Sequence, residues 1–279
     1  MKTIDLNNWT LFSSRPASDN YYNEDETTML KVFKLVDESI LPNLERELEI
    51  SKLVSGLGIR TPEVGDIYRT AEGHYCITYE AIKNKKSLSR AISEDFSLAE
   101  PYMELMANAG KLIHSTKCTS EIVPDYKEIF VKALKEEKQV SEKRKADILK
   151  KLETFPDAEC CLHGDFHPGN FIISDGTVYA IDLVGFTKGH YMYDVGMFYF
   201  LACVLPGKAQ EAIFHMNHKQ AGQMWKLFVK YYFEGSEPDL KELCDYAFMN
   251  MMTHREMILI PVMINLSLLG LPPFPRRAF

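Results

Sequence analysis

The 279-residue chain contains no Cys-x-x-Cys pair and no spacing of cysteine with histidine of the kind that holds zinc. Its six cysteines, Cys76, Cys118, Cys160, Cys161, Cys203 and Cys244, therefore read as reduced core residues, not as a disulfide framework or a metal site. It also lacks a positive excess: 32 Lys and Arg stand against 39 Asp and Glu, a formal charge of -7. A general nucleic-acid binder needs a basic footprint to neutralise phosphates, so no nucleic-acid partner is expected. The opening residues, Met1-Lys2-Thr3-Ile4-Asp5-Leu6, carry no apolar run of a signal peptide. Aliphatic stretches such as 257–264 fall well short of the roughly 20 residues that span a bilayer. A soluble, cytoplasmic protein with no membrane partner is the expectation. What is present, 46% hydrophobic and 25% charged residues, excludes a disordered chain and permits a substantial core. The length allows one large or two modest domains, and no internal repeat or linker interrupts it.

The most informative stretch is 161–185. The segment His163-Gly164-Asp165-Phe166-His167-Pro168-Gly169-Asn170 is too rich in Gly, Pro and polar groups for a helix or strand interior, and reads as a loop. After it, Phe171-Ile172-Ile173 and Thr177-Val178-Tyr179-Ala180-Ile181 flank Ser174-Asp175-Gly176. An Asp-Gly between β-branched runs is a strong hairpin signal. Folding that hairpin brings Asn170 and Asp182 to one open end, on strands about 4.8 Å apart. A carboxylate and an amide oxygen are ligands that suit Mg²⁺, whose shell substrate phosphates and waters complete. A strict two-residue register pairs position 170 with 181 and turns Asp182 to the other face. Either one of the two leaves the pleat or a bulge intervenes.

Asp165 and Asn170 stand five apart, the spacing of Asp and Asn in a kinase catalytic loop, and Asp182 with Gly185 falls where the metal-binding Asp after that loop is expected. Here the sequence resembles the aminoglycoside phosphotransferase and choline-kinase-like family, small-molecule kinases with a protein-kinase-like fold. The family pattern appears as His163, Gly164, Asp165, Asn170, Ile181 and Asp182. The match names a family but no substrate.

Short β-prone runs at 9–12, 20–22 and 27–33, separated by polar turns, predict an antiparallel sheet. Lys31 lies inside the third run, as an edge-strand charge or as a cation awaiting an anion. Over 42–57, Ile50, Leu53, Val54 and Leu57 recur at helical spacing, with Gly58 placed to cap the helix and Pro62 beyond. Glu47 falls on the same stripe and needs a partner, for which Lys31 is the natural candidate; the alternative is a solvated Glu beside Arg46. The resemblance implies the same pair, the strand lysine and helix glutamate that position nucleotide phosphates. It further implies that 75–82 leads into a hinge at about 80–86, where backbone groups of Glu80 to Ile82 would meet adenine.

The resemblance weakens at the phosphate loop. Family members usually carry a glycine-rich turn between the first two strands, whereas this chain has Ser13-Ser14-Arg15-Pro16-Ala17-Ser18. Glycine lets backbone N–H groups approach phosphate, and Pro16 has no N–H to give. Either Ser13, Ser14 or Arg15 supplies side-chain donors, or the loop is degenerate.

The stretch 97–152 is helical in pattern, its many Lys and Glu reading as solvated faces. Its His114 reads as a packed histidine at a helix end. Asp194, in Tyr193-Asp194-Val195-Gly196, resembles the family's acid that bonds the catalytic-loop backbone, and could equally cap the following helix. Residues 208–279 read as helical, and in the family this region builds the acceptor pocket. Between 205 and 279 the acids Glu211, Glu234, Glu237, Asp239, Glu242, Asp245 and Glu256 are answered by Lys208, Lys219, Lys226, Lys230, Lys241, Arg255, Arg276 and Arg277. That balance is unlike a pocket for polycationic aminoglycosides and fits a neutral or singly charged acceptor.

The expectation is an α+β, two-lobed protein-kinase-like fold, with a nucleotide-binding lobe at 1–80 and a mainly helical catalytic and acceptor-binding lobe at 81–279. The activity implied is ATP- and Mg²⁺-dependent phosphorylation of a hydroxyl on a small molecule. Asp165 would accept the hydroxyl proton, Asn170 and Asp182 would hold Mg²⁺, Lys31 braced by Glu47 would hold the phosphates, and His163 would support the loop. A regulatory pseudokinase is the alternative raised by the missing glycines. A protein kinase ranks lower, because no activation segment ending in Ala-Pro-Glu follows Asp182.

Overall fold

A computed structural model describes residues 1–14, 17–138 and 140–253. The chain divides into two compact units, one made of Met1–Leu88 with Asn170–Val184, the other of Ser89–Gly169 with Gly185 onward.

The first unit carries β1 (Lys2–Ile4), β2 (Trp9–Ser14), β3 (Ser18–Asn23), β4 (Thr28–Phe33), α1 (Leu41–Gly56), β5 (Val64–Thr70), β6 (Tyr75–Glu80) and β7 (Lys86–Ser87). Six of these strands form one sheet in the order β1-β5-β6-β4-β3-β2. The three β-prone runs are β2, β3 and β4, paired antiparallel. The strand β1 was not anticipated; it joins β5 in parallel, Thr3 opposite Arg69. Alternation along β4 sends Leu30 and Val32 to one face, where they are buried with Cys76 against Ile4, Leu6, Trp9, Tyr21 and Tyr68. Lys31 and Met29 take the other face, by the two-residue repeat of a strand. Helix α1 ends as its sequence predicts: Gly58 N–H donates to Ser55 and Ile59 N–H to Val54.

The second unit holds α2 (Leu88–Glu94) beyond its first residue, then α3 (Ala99–Ser115), α4 (Tyr126–Glu136), α5 (Glu142–Leu152) and β8 (Cys160–Leu162). The hairpin strands β9 (Phe171–Ser174) and β10 (Thr177–Ala180) return to the first unit. After them come β11 (Thr187–Gly189), which pairs with β8, and α6 (Met192–Tyr199), α7 (Gly207–Phe214), α8 (His218–Tyr232) and α9 (Leu240–Thr253). An aromatic core fills this unit: Phe228 meets Phe166 and Phe198 edge-on and stacks on Tyr232 at 5.0 Å. A π-helical turn at Phe200–Val204 interrupts the chain after α6, and the buried Gln210 amide donates to the carbonyls of Leu201 and Ala202 there. The predicted helix beyond residue 253 lies outside the described residues. All six cysteines are free thiols. No helix among the described residues is long and apolar enough to cross a membrane.

Residues 81–88 belong with the first unit, and so does the hairpin. The cause is hydrogen bonding: β7 pairs with β9, Lys86 opposite Ile173, and Ala180 N–H donates to the Arg60 carbonyl.

Candidate active site

The hairpin turn is built by Asp175 and Gly176, whose φ values of 47° and 76° put both in the left-handed region that a two-residue turn between twisted strands demands. Its register runs from Ser174 opposite Thr177 to Phe171 opposite Ala180, and Ile181 N–H donates to the Asn170 carbonyl at 2.9 Å. The chain then leaves the pleat at Asp182, where φ is 64°. This resolves the conflict in the strict alternation: the residue after the paired position turns left-handed. Asn170 is buried, whereas Asp182 is exposed and makes no ion pair among the described residues. Carboxylate and amide oxygens are donors of the kind that suit Mg²⁺, and no group of three or more His, Cys, Asp or Glu that could hold a metal ion occurs among the described residues.

The same unit brings Lys31 and Glu47 together. Lys31 Nζ lies 3.1 Å from Glu47 Oε1, with side chains 23% and 13% exposed. Leu44, Ile50 and Val54 bury the stripe of α1 that carries Glu47. The Tyr79 hydroxyl donates to the same Glu47 oxygen. Burial, then the Glu47 charge, push the Tyr79 phenol far above its ordinary range, and the Asp182 charge adds to this. Tyr79 sits opposite Met29, which sits opposite Tyr22. On Tyr22 the Phe12 ring stacks at 3.9 Å, and Lys85 Nζ lies 5.6 Å from each ring centre. Burial lowers the Lys85 ammonium below its usual range.

The remaining first-unit candidates are placed differently from one another. Ser14 Oγ accepts from Lys34 Nζ at 3.1 Å, and the Ser14 hydroxyl is the leading cause that holds the Asp19 carboxyl below its usual range. Ser14 is therefore engaged by its own sheet. Ser13 lies half-buried in β2 just past a bulge, and Arg15 is outside the described residues. Glu80 N–H donates to the Glu63 carbonyl and Ala81 N–H to Thr27, so these two hinge donors are spent within the sheet; the Ile82 side chain is buried.

In the second unit the loop before Asn170 is held by Asp194, which is fully buried. One carboxylate oxygen accepts His163 N–H at 2.6 Å, the other Gly164 N–H at 2.9 Å. Tyr191, not Asp194, occupies the cap position of α6, so the backbone-holding reading is the one realised. Gly164 has a φ of 83°, and a Cβ there would stand 1.9 Å from the Gly185 carbonyl oxygen, so no other residue fits. Asn250 Nδ2 donates to the Gly164 carbonyl at 3.1 Å. His167 Nδ1 accepts Gly169 N–H at 3.0 Å, which leaves the ring proton on Nε2, 3.5 Å from Asp165 Oδ2.

His114 does more than pack. It is buried, its Nε2 lies 3.0 Å from Asp194 Oδ2, and its Nδ1 lies 2.6 Å from the Tyr232 hydroxyl. A donor is needed toward the carboxylate, so Nε2 carries a proton there, while Nδ1 faces the Tyr232 hydroxyl. Sequence reading missed His114, Tyr232, Tyr79, His167 and Asn250 as members of these networks. Except for His167, whose partners Asp165 and Gly169 are two residues away, their partners lie far off in the chain, 80 and 118 residues away for His114, and carry no local signal.

The sequence profile of the phosphotransferase enzyme family matches residues 8–226. The chain belongs to this family. As one of its members this phosphotransferase is a small-molecule kinase, and its solved likenesses agree in fold. A thermostable mutant of an aminoglycoside phosphotransferase, in complex with ADP and hygromycin B, superposes with a TM-score of 0.63 at 12% identity, covering 94% of this chain and 90% of the other. An aminoglycoside phosphotransferase from Streptomyces rimosus, bound to ADP and streptomycin, gives 0.58 at 15% identity, covering 88% and 92%. The choline kinase of Streptococcus pneumoniae gives 0.52 at 16% identity, covering 88% and 81%. No curated protein matches the phosphotransferase in sequence. At these identities the likenesses establish the protein-kinase-like fold and nothing finer.

Proposed function

We propose that the phosphotransferase moves the γ-phosphoryl group of ATP, with Mg²⁺, to a hydroxyl of a small neutral or singly charged molecule. The observation that carries this reading is the first unit's placement of the Lys31–Glu47 pair and an unneutralised, exposed Asp182 within electrostatic reach of one tyrosine. A cation for phosphate and an oxygen site for a divalent ion are the two parts that phosphoryl transfer needs from a nucleotide-binding fold.

In this reading Lys31 grips the phosphates, and adenine is recognised by the carbonyl of Glu80 and the N–H of Ile82. The Asn170 amide oxygen and the Asp182 carboxylate would hold Mg²⁺, which when bound neutralises phosphate charge. Asp165 orients the acceptor hydroxyl and takes its proton, while His167 Nε2–H steadies the carboxylate. The buried Asp194 fixes the backbone from which Asp165 projects, since its two oxygens hold the residues just before it. Ser14 has its hydroxyl engaged elsewhere, so a phosphate grip by Ser14 is not part of the reading; Ser13 remains a candidate donor.

The acceptor class follows from charge. Among the described residues Glu234 pairs with Lys111 and Asp245 with Lys151, so these acids are already neutralised. Half-buried Glu242 has no ion pair among the described residues, and burial raises its carboxyl above the usual range. Glu211, Glu237 and Asp239 are solvent-exposed, so one part-buried, unpaired carboxylate is left in the described part of the segment, a match for at most one ammonium group. Glu256, Arg255, Arg276 and Arg277 lie outside the described residues.

The test is a screen of small hydroxyl compounds for ATP consumption, followed by Asp165→Asn. With the proton acceptor removed and the volume kept, turnover is expected to fall by about 10²- to 10⁴-fold, with folding and Mg-nucleotide binding retained. Turnover near wild type would refute the role of Asp165. Nucleotide binding with no turnover on any acceptor would favour the regulatory pseudokinase, and efficient phosphorylation of kanamycin-type compounds at micromolar concentration would sink the acceptor class.

A further inference from the structure

Glu47 answers two donors at one oxygen. Oε1 accepts from Lys31 Nζ at 3.1 Å and also from the Tyr79 hydroxyl. Lys31 lies opposite Ile77 and Tyr79 opposite Met29 across the β4–β6 pair, so both project from one face of the sheet. Because burial and the Glu47 charge keep the phenol protonated, the hydroxyl is a standing donor across the physiological range.

That second donor matters when Lys31 is used. A lysine that turns to phosphate loosens its hold on its carboxylate, and a half-buried carboxylate left without a donor is costly. We infer that Tyr79 is a positioning residue for Lys31: its hydroxyl stays on Glu47 while Lys31 engages the nucleotide phosphates, which lowers the cost of that exchange. The inference rests on the nucleotide-binding reading above and extends it to a residue that acts through Glu47. It differs from a base-site role for Tyr79, because the hydroxyl is already committed to the carboxylate and only the phosphate grip should feel its loss.

The test is Tyr79→Phe, which keeps the ring, alone and in a Lys31→Met background. Calorimetric Kd for ATP is expected to rise about threefold to tenfold, the effect of one hydrogen bond, while Kd for adenosine, which has no phosphate, stays the same. In the Lys31→Met background the tyrosine substitution should change ATP affinity less than about twofold, since both act through one carboxylate. Equal losses for ATP and adenosine, or a full additional loss without Lys31, would overturn the inference in favour of a role in shaping the base site.

A second arm needs no nucleotide. Without the Tyr79 hydroxyl the whole Glu47 charge holds the Lys31 ammonium, so amine labelling of Lys31 followed by mass spectrometry should slow by about threefold or more. Unchanged labelling overturns the coupling even if ATP affinity falls. Slowed labelling in a protein that binds no nucleotide would uphold the Tyr79–Glu47–Lys31 coupling and would instead overturn the phosphotransfer reading.

Discussion

Two aspartates twelve residues apart in sequence, Asp182 and Asp194, are used in opposite ways. Asp182 is exposed, stands at a left-handed backbone position and makes no ion pair among the described residues. Asp194 is fully buried and accepts from two backbone N–H groups and from His114. A carboxylate whose acceptor positions are filled by the protein contributes to architecture, whereas one left open to solvent keeps its oxygens available. The proposed metal ligand and the loop support thus differ in burial and in hydrogen bonding.

The largest effect should come from breaking the buried member. Asp194→Ala leaves the His163 and Gly164 N–H groups and His114 without their acceptor, and is expected to destabilise the fold by about 3–5 kcal/mol. Denaturant midpoints measure this, and a loss under about 1 kcal/mol would mean that water replaces the carboxylate at no penalty. Asp182→Asn is the matching change at the exposed site. Asparagine tolerates the left-handed backbone, whereas alanine would add strain there. Stability should stay within about 0.5 kcal/mol, yet ATP affinity should lose its dependence on Mg²⁺, and more completely than in Lys31→Ala. A metal titration that looks the same in Asp182→Asn and wild type would remove the distinction between the two aspartates.

His114 sharpens the comparison from the second unit. His114→Phe keeps a ring but removes one of the three donors to Asp194 and strands the Tyr232 hydroxyl, which should cost about 2–3 kcal/mol. His114→Gln restores a donor of similar reach and should recover part of the loss. If stability, and the acceptor turnover that depends on the loop, were unchanged in His114→Phe, the histidine would be packing alone, as the sequence suggested.

That suggestion shows where sequence reading stops. The hairpin was legible because an Asp-Gly turn between β-branched runs is a local signal, and the Lys31–Glu47 proximity followed from two regular periods, strand and helix. The positive φ at Asp182 was half legible: the register conflict was visible, its resolution was not. His114 with Tyr232, Tyr79 on Glu47, and the parallel pairing of β1 depend on contacts between distant segments, for which no spacing rule exists. The place of residues 81–88 in the first unit likewise depends on the pairing of β7 with β9, a two-residue strand too short to show a pattern.

The smallest effect is expected at Ser14, where the chain lacks the family's glycines. Its hydroxyl accepts from Lys34 and is the first cause that holds the Asp19 carboxyl low, so Ser14→Gly should leave ATP affinity unchanged; a clear loss of affinity would restore Ser14 as a phosphate donor. The cost should appear in stability instead, as a glycine penalty of about 0.5–1 kcal/mol in a strand plus the lost support of the Asp19 carboxylate. Asp19 titrates below its usual range in the folded protein, with the Ser14 hydroxyl the first cause and Lys34 the next. A depressed folded value means that this support is present above the unfolded carboxylate pKa of about 3.9 and disappears as pH falls through the folded value. The stability gap between wild type and Ser14→Gly should therefore narrow in acid to the glycine penalty alone. A gap that is flat from neutral pH to pH values below the folded Asp19 titration would show that Ser14 does not act on Asp19, and would free its hydroxyl for the nucleotide after all.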